Sequence, residues 1–188
     1  MARFEEKIVA NMTGNQRRVA DTVSAAFHGL AGPYVVWIDE PEIAERLFRV
    51  VDYLRNEAPL PHRLRLIATL MAVRYWRAAY AWNVNAQQAE LNGVPTSAIA
   101  AMERGETPKF DEAKDRAAYE MCRELLETRA LSDAGFAKAV AALGVEFVRE
   151  IAITLGYFST VALTVNAFNV LPSPDKMPAF ARQGAARD

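Results

Sequence analysis

The residues most suited to chemistry lie along a single predicted helix that runs from about residue 62 to residue 91. One face of this helix, reached by steps of three and four residues, carries Arg74, Ala78, Ala81, Asn85 and Gln88. A guanidinium such as that of Arg74 can hold a carboxylate or a phenolate through paired hydrogen bonds. The amides of Asn85 and Gln88 can orient a carbonyl group or stabilise an oxyanion without carrying a proton. This face therefore predicts a binding site for a small organic compound.

Arg77 and Tyr80 lie on the flank of the same face, and the hydroxyl of Tyr80 can donate a hydrogen bond. Ion pairs at the surface are an equally good explanation for Arg74 and Arg77. Trp82 has the spacing of a core aromatic side chain as well as that of a ligand contact. Asparagine is a poor helix former and needs partners when it is buried, which favours a role in the site for Asn85.

The segment Tyr80-Ala81-Trp82-Asn83-Val84-Asn85, followed by small residues up to Gly93-Val94, resembles the active-site segment of the carboxymuconolactone decarboxylase family. The family pattern reads approximately Tyr-Glu-Trp-x-x-His. Two further segments resemble this family's Leu-Pro-x-Arg-Leu-Arg turn and its closing helix, at Leu60-Pro61-His62-Arg63-Leu64-Arg65 and Gly156-Tyr157-Phe158. The resemblance covers about residues 30–175. It implies a compact all-α subunit of the alkylhydroperoxidase-D-like type that acts on a small-molecule substrate and assembles into trimers or hexamers.

The groups that would move protons in this family are replaced here. The Glu position is Ala81, which cannot titrate, and the His position is Asn85, which can only form hydrogen bonds. The acidic residue of the family's Arg-x-Arg-Glu pattern is replaced by Leu66. Related thiol peroxidases use a Cys-x-x-Cys pair, whereas Cys122 has no partner cysteine. The family reaction and thiol peroxidase chemistry are therefore not expected.

Three further residues are candidates because of where the resemblance places them. Tyr157 and Asn166 are expected on the last helix, facing the long one, where they either line the pocket or bond each other inside the bundle. His62 is the imidazole nearest the expected pocket, so it is either an acid/base group or a surface residue at a helix start.

The composition excludes several classes of function. The chain of 188 residues is 52% hydrophobic, and its 22 basic and 23 acidic residues nearly cancel, so a nucleic-acid-binding surface is not expected. With two histidines and one cysteine, the sequence shows no metal site, and we expect no cofactor. A single cysteine allows no intramolecular disulfide, which favours a reducing, cytoplasmic location.

The hydrophobic periodicity predicts an all-α bundle. We expect an N-terminal helical extension over residues 1–30, a helical domain over 31–171 and a loosely ordered, proline-rich tail over 172–188. Residues 33–38 look like an extended connector, and residues 62–91 like one uninterrupted helix.

The segment from Ile151 to Leu171 contains no charged residue and is long enough to span a bilayer. It includes Asn166 and Asn169, however, and amides are costly in lipid. A helix that is apolar on most sides is equally typical of the centre of a bundle or of a subunit interface. We expect this buried arrangement and no membrane association.

Two functions are compatible with the sequence. The first is a lyase- or isomerase-type enzyme with a remodelled pocket for a small aromatic or lactone-like compound. The second is a non-catalytic oligomeric ligand-binding or assembly protein that kept the fold and lost the chemistry. An open pocket in which Arg74, Asn85 and Tyr80 converge would favour the enzyme, and a pocket filled by aromatic side chains would favour the second function.

Overall fold

The computed structural model of the chain describes residues 2–4 and 9–182, and within these ranges every regular element is helical. This confirms the prediction of an all-α protein. The α-helices are α1 Gly14–Phe27, α2 Tyr34–Trp37, α3 Pro41–Asn56, α4 His62–Tyr75, α5 Ala79–Leu91, α6 Thr96–Arg104, α7 Ala113–Thr128, α8 Asp133–Leu143, α9 Val145–Ala167 and α10 Ala179–Arg182. Single turns of 3-10 helix occupy Val9–Asn11 and Pro174–Lys176.

The centre of the bundle is the pair α4 and α9. Seven consecutive residues of α4, from Leu64 to Leu70, are buried, because α5, α7 and α9 all pack around this helix. In α9 the side chains of Ile151, Leu155 and Val165 belong to the same core. By length and composition α9 could cross a membrane, but more than half of its most apolar stretch is buried in the bundle. This packing agrees with the predicted position of the helix at the centre of the bundle.

The prediction of one uninterrupted helix over residues 62–91 was wrong, because the chain turns between Tyr75 and Ala79. Arg77 takes a left-handed conformation with φ 52°, and the N–H of Ala78 donates to the carbonyl of Val73 at 2.9 Å. The carbonyl oxygen of Trp76, released at the turn, accepts a hydrogen bond of 2.6 Å from Nδ2 of Asn166. The predicted polar face is therefore divided between α4 and α5, which separates Arg74 from Asn85.

Residues 33–38 were predicted as an extended connector and instead form the single turn α2. The N–H groups of Trp37 and Ile38 donate to the carbonyls of Pro33 and Tyr34, at 2.9 and 3.1 Å. A helical turn lets Tyr34, Trp37 and Ile38 all enter the core, which an alternating strand would not allow. This turn delivers Tyr34 to the pocket described below.

The prediction of a loosely ordered tail was wrong for residues 172–182, whereas residues 183–188 lie outside the described part of the chain. Phe180 is 3% exposed and packs edge to face on Trp82 with ring centroids 5.7 Å apart. The backbone N–H of Ala179 donates to a carboxylate oxygen of Glu103 at 2.7 Å. The tail is thus folded back onto α5 and α6.

The first helix shares the core of the bundle. Its N-terminus is closed by a capping box, in which the Thr13 hydroxyl accepts from the Gln16 N–H and the Gln16 amide oxygen accepts from the Thr13 N–H. Val19 and Val23 are fully buried, and Arg18 forms an ion pair of 2.8 Å with Glu45 on α3. Helix α1 is therefore positioned well enough to form one wall of the site.

Candidate functional site

A pocket of about 390 Å³ lies between the end of α1, α2, α3, α5 and α9. The polar side chains that line it are His28, Tyr34, Arg55, Tyr80, Asn85, Gln88 and Tyr157. We call it the tyrosine pocket. Its volume is in the range of sites for small organic ligands.

Arg55 is the cation of the tyrosine pocket. Its guanidinium carbon lies 4.6 Å from the centre of the Phe27 ring, in cation–π geometry. Burial lowers the pKa of Arg55, and the neighbouring hydroxyls of Tyr157 and Tyr34 oppose that shift only in part. No carboxylate lines the pocket within the described chain. The positive charge of Arg55 is therefore available to an anionic ligand.

Two phenol groups face each other across the pocket. The hydroxyl oxygens of Tyr34 and Tyr157 are 3.5 Å apart, and either can be the donor. Burial raises the pKa of Tyr34 to about 12, and burial raises the pKa of Tyr157 further. Burial also raises the pKa of Tyr80, against the opposing effect of the Gly32 backbone. All three phenols therefore stay protonated near neutral pH, as hydrogen-bond donors.

Helix α5 presents its polar residues to the pocket between small ones. Asn85 is 6% exposed, and its Nδ2 donates to the carbonyl of Ala81, one turn earlier, at 2.8 Å. This bond satisfies one amide hydrogen and leaves Oδ1 as an acceptor. Because Ala81 is itself buried and carries only a methyl group, the pocket is wider beside Asn85. The small side chain of Ala81 thus gives space to the pocket.

A smaller chamber of about 170 Å³ adjoins the tyrosine pocket and shares Arg55, Asn85 and Gln88 with it. We call it the annex. Its own polar residues are His62, Arg65 and Thr69 on α4, together with Asn56 and Asn92. No carboxylate lines the annex in the described chain either.

Arg65 is the second cation of the site, and its side chain is buried. Its Nη1 donates to the carbonyl oxygen of Leu54 at 2.7 Å, and its Nη2 contacts Nδ1 of His62 at 3.2 Å. Burial, followed by repulsion from Arg55, lowers the pKa of Arg65 to about 10. Burial and the charge of Arg65 also lower the pKa of His62. His62 is therefore neutral at pH 7, with Nδ1 accepting from Arg65.

The structure brings together six of the residues singled out in the sequence. Tyr80, Ala81, Asn85, Gln88 and Tyr157 line the tyrosine pocket, and His62 lines the annex.

The other four candidates lie elsewhere. Arg74 donates from Nε to the carbonyl of Glu103 at 2.8 Å and covers the ring of Phe180. Arg77 donates to the backbone carbonyl oxygen of Phe180. Trp82 packs against the ring of the same phenylalanine. Asn166 holds the turn between α4 and α5, as described above. These side chains support the tail and the turn.

Sequence reasoning missed Tyr34, Arg55, Arg65 and Thr69. One signal for Arg55 was available, because it follows Val51 by four residues and therefore continues the buried face of α3. A cation on an apolar face is unusual unless it has a partner or a ligand. Arg65 and Thr69 gave no such signal, since their burial depends on helices distant in sequence.

No protein-family model matches the sequence, and no curated protein matches it. Among solved structures, the chain is similar to a crystal structure described as an alkylhydroperoxidase AhpD core, an uncharacterized peroxidase-related protein from Ralstonia eutropha JMP134. The two chains superpose with a TM-score of 0.77 over 93% of this chain and 94% of that one. This chain has an AhpD-like fold.

The sequence identity with that AhpD-like protein is 12%, so the likeness concerns the fold alone. The lone Cys122 is fully buried on α7, outside both chambers, and burial raises its pKa to about 12. A thiol in this environment stays protonated and is a poor nucleophile. The AhpD-like fold here thus carries a site built from phenols, amides and arginines.

Proposed function

We propose that the chain is a lyase- or isomerase-type enzyme that binds a small aromatic or lactone-like carboxylate in the tyrosine pocket. The observation that supports this most strongly is Arg55, a half-buried guanidinium that faces two phenol hydroxyls, with no carboxylate in the described part of the pocket wall. A buried cation without a protein counter-ion is costly, and an anionic ligand offsets that cost.

The apolar surface of the pocket favours a flat, unsaturated body for the ligand. Phe27 and Phe158 lie at the wall beside Tyr34, together with aliphatic side chains such as Val161. Aromatic faces gain contact with a planar ring, while the polar groups fix its orientation. A small aromatic acid or an unsaturated lactone acid combines the two properties.

The chemistry that these groups support is stabilisation of a developing oxyanion. Loss of carbon dioxide, or transfer of a proton beside a carbonyl group to an imidazole of the site, leaves an enolate-like anion, whose charge rests on oxygen. Protonated phenols at Tyr34 and Tyr157 can donate to that oxygen, and the positive charge of Arg55 stabilises the anion further. Donors that are fixed before the reaction stabilise the transition state more than the ground state.

A second function, ligand binding without turnover, is favoured by a separate observation. The phenols have raised pKa values, the pKa of His62 is lowered, and Asn85 cannot titrate. Neither the phenols nor Asn85 can therefore act as the general base that proton abstraction usually requires. In the described walls this leaves the imidazoles of His28 in the tyrosine pocket and His62 in the annex.

The proposal includes self-assembly into a trimer or hexamer in the cytoplasm. Its support is the solvent face of α9, where Ile153 and Leu163 are about half exposed and Ala152, Gly156 and Thr160 add no charge. An uncharged face of this length is typical of a surface that a second copy covers. Light scattering coupled to size-exclusion chromatography tests it, and a monomer at all concentrations would contradict it.

The test of the enzyme is turnover of a panel of aromatic acids, phenols and lactones by the purified protein, followed by chromatography. Tyr157→Phe removes one oxyanion donor and should lower kcat for any substrate found by about a hundredfold. Tyr53→Phe is the matched control, because Tyr53 is an exposed tyrosine on α3. Thermal stabilisation without turnover would favour the binding protein, and neither effect with any compound would contradict both functions.

A further inference from the structure

Thr69 is a fully buried residue whose hydroxyl has no hydrogen-bond partner among the described atoms. It lies in the middle of α4 and lines the annex. A buried hydroxyl without a partner destabilises the folded protein relative to one that is bonded. A group that enters the annex could satisfy it.

Arg65, one turn before Thr69 on α4, adds positive charge to the same chamber. Its bonds to the carbonyls of Leu54 and Arg55 and its contact with His62 hold the guanidinium in place. A guanidinium has five N–H donors, so these partners leave donors over. Arg65 is therefore fixed at the wall of the annex with hydrogen-bonding capacity to spare.

The annex and the tyrosine pocket are neighbours with a common wall. Arg55, Asn85 and Gln88 line both chambers, and so does the ring of Phe158. A ligand held by Arg55 therefore lies beside the annex, and a substituent that passes between these side chains reaches the chamber of Thr69.

We propose that the annex is a second oxyanion subsite, in which Arg65 and the Thr69 hydroxyl bind a second acidic group of the ligand. The inference rests on the proposed function, since it assigns a second anionic substituent to the compound bound in the tyrosine pocket. The annex has the chemistry of an anion site: two guanidiniums, neutral amide and hydroxyl donors, and no carboxylate in its described wall. A neutral or cationic substituent would leave Arg65 without a counter-charge.

The test compares the affinity of benzoate with that of the three benzenedicarboxylates by calorimetry. At least one dicarboxylate is expected to bind about tenfold tighter than benzoate, because a charge-assisted hydrogen bond contributes about that much. Millimolar inorganic phosphate, a free oxyanion, is expected to weaken binding of that dicarboxylate more than it weakens binding of benzoate.

Two isosteric variants decide the role of the hydroxyl. Thr69→Val should remove most of the dicarboxylate advantage and leave the affinity for benzoate unchanged. Thr154→Val is the matched control, since Thr154 is also fully buried without a partner but lies on α9 and lines neither chamber. It should keep the full advantage.

The inference is overturned if no dicarboxylate binds more tightly than benzoate, or if Thr69→Val and Thr154→Val behave alike. Its failure differs from failure of the proposed function. Benzoate binding without a dicarboxylate advantage leaves the tyrosine pocket as the site and removes the annex from it. If benzoate does not bind but a dicarboxylate binds in a manner that depends on Thr69, the subsite stands and the ligand proposed for the pocket is wrong.

Discussion

Replacing Phe180 by alanine should release the C-terminal segment from the bundle. The side chain is almost fully buried, forms an edge-to-face pair with Trp82 and lies 4.6 Å below the guanidinium carbon of Arg74. Burial of a phenylalanine contributes about 2 kcal/mol, and the aromatic pair and the cation contact each add about 0.5–1 kcal/mol. Loss of about 3 kcal/mol shifts the equilibrium between docked and undocked tail roughly a hundredfold.

Limited trypsin digestion with mass spectrometry measures this equilibrium at the bond after Lys176. When opening is fast relative to cleavage, the rate follows the population of the undocked tail. Cleavage of Phe180→Ala should therefore accelerate by up to about a hundredfold. Phe168→Ala is the control, because Phe168 is 38% exposed and should change the rate little. A rate for Phe180→Ala within about threefold of the wild type would refute the reasoning from burial.

Three further predictions concern other parts of the fold. Hydrogen bonds from Arg18 and Arg49 lower the pKa of Glu45 from 4.5 to about 2. The stabilisation that the Glu45 carboxylate gives is therefore complete above pH 4.5 and is lost as the pH falls towards 2. Urea unfolding should show the advantage of the wild type over Glu45→Gln disappearing in that range, and a constant difference would contradict this. Arg129 ends α7 in a left-handed conformation with φ 65°, which glycine adopts more easily, so Arg129→Gly should raise the free energy of unfolding by about 0.5–1 kcal/mol. A lower free energy of unfolding in urea denaturation would contradict this. Gly32 has φ 63°, and a Cβ there would lie 2.8 Å from Cε1 of Tyr80. Gly32→Ala should therefore lower the stability measured by thermal unfolding by about 1–3 kcal/mol and weaken benzoate binding. Unchanged stability and affinity would contradict this prediction.

The periodicity of the sequence predicted most helices because their termini carry local signals. Pro41 begins α3, Ser132 caps α8 through the Gly135 N–H, and Gly105 ends α6 in a left-handed conformation. The turn between α4 and α5 carries no such signal, since Arg77 occupies the left-handed position that glycine or asparagine usually takes. Its stability comes from tertiary contacts, which a pattern of single residues does not reveal.

The site was predictable in part for the same reason. The residues of α5 that line the pocket, Tyr80, Asn85 and Gln88, are close in sequence, so their helical spacing placed them together. Arg55 reaches the pocket from α3, and Tyr34 reaches it only because residues 34–37 form a helical turn. The place of these two residues in the pocket depends on contacts between helices that are distant in sequence. The local spacing of residues in one sequence does not reveal such contacts.

The most direct test of the central claim, that Arg55 is the anion anchor of the tyrosine pocket, is a comparison of benzoate with its neutral analogue benzamide. Calorimetry on the wild type should show tighter binding of benzoate. Arg55→Met should weaken benzoate binding by about tenfold or more and change benzamide binding little. Arg74→Met, the matched control, removes an arginine that lies outside the pocket and should keep the preference for benzoate. Unchanged benzoate binding by Arg55→Met, or an equal loss in Arg74→Met, would contradict the claim.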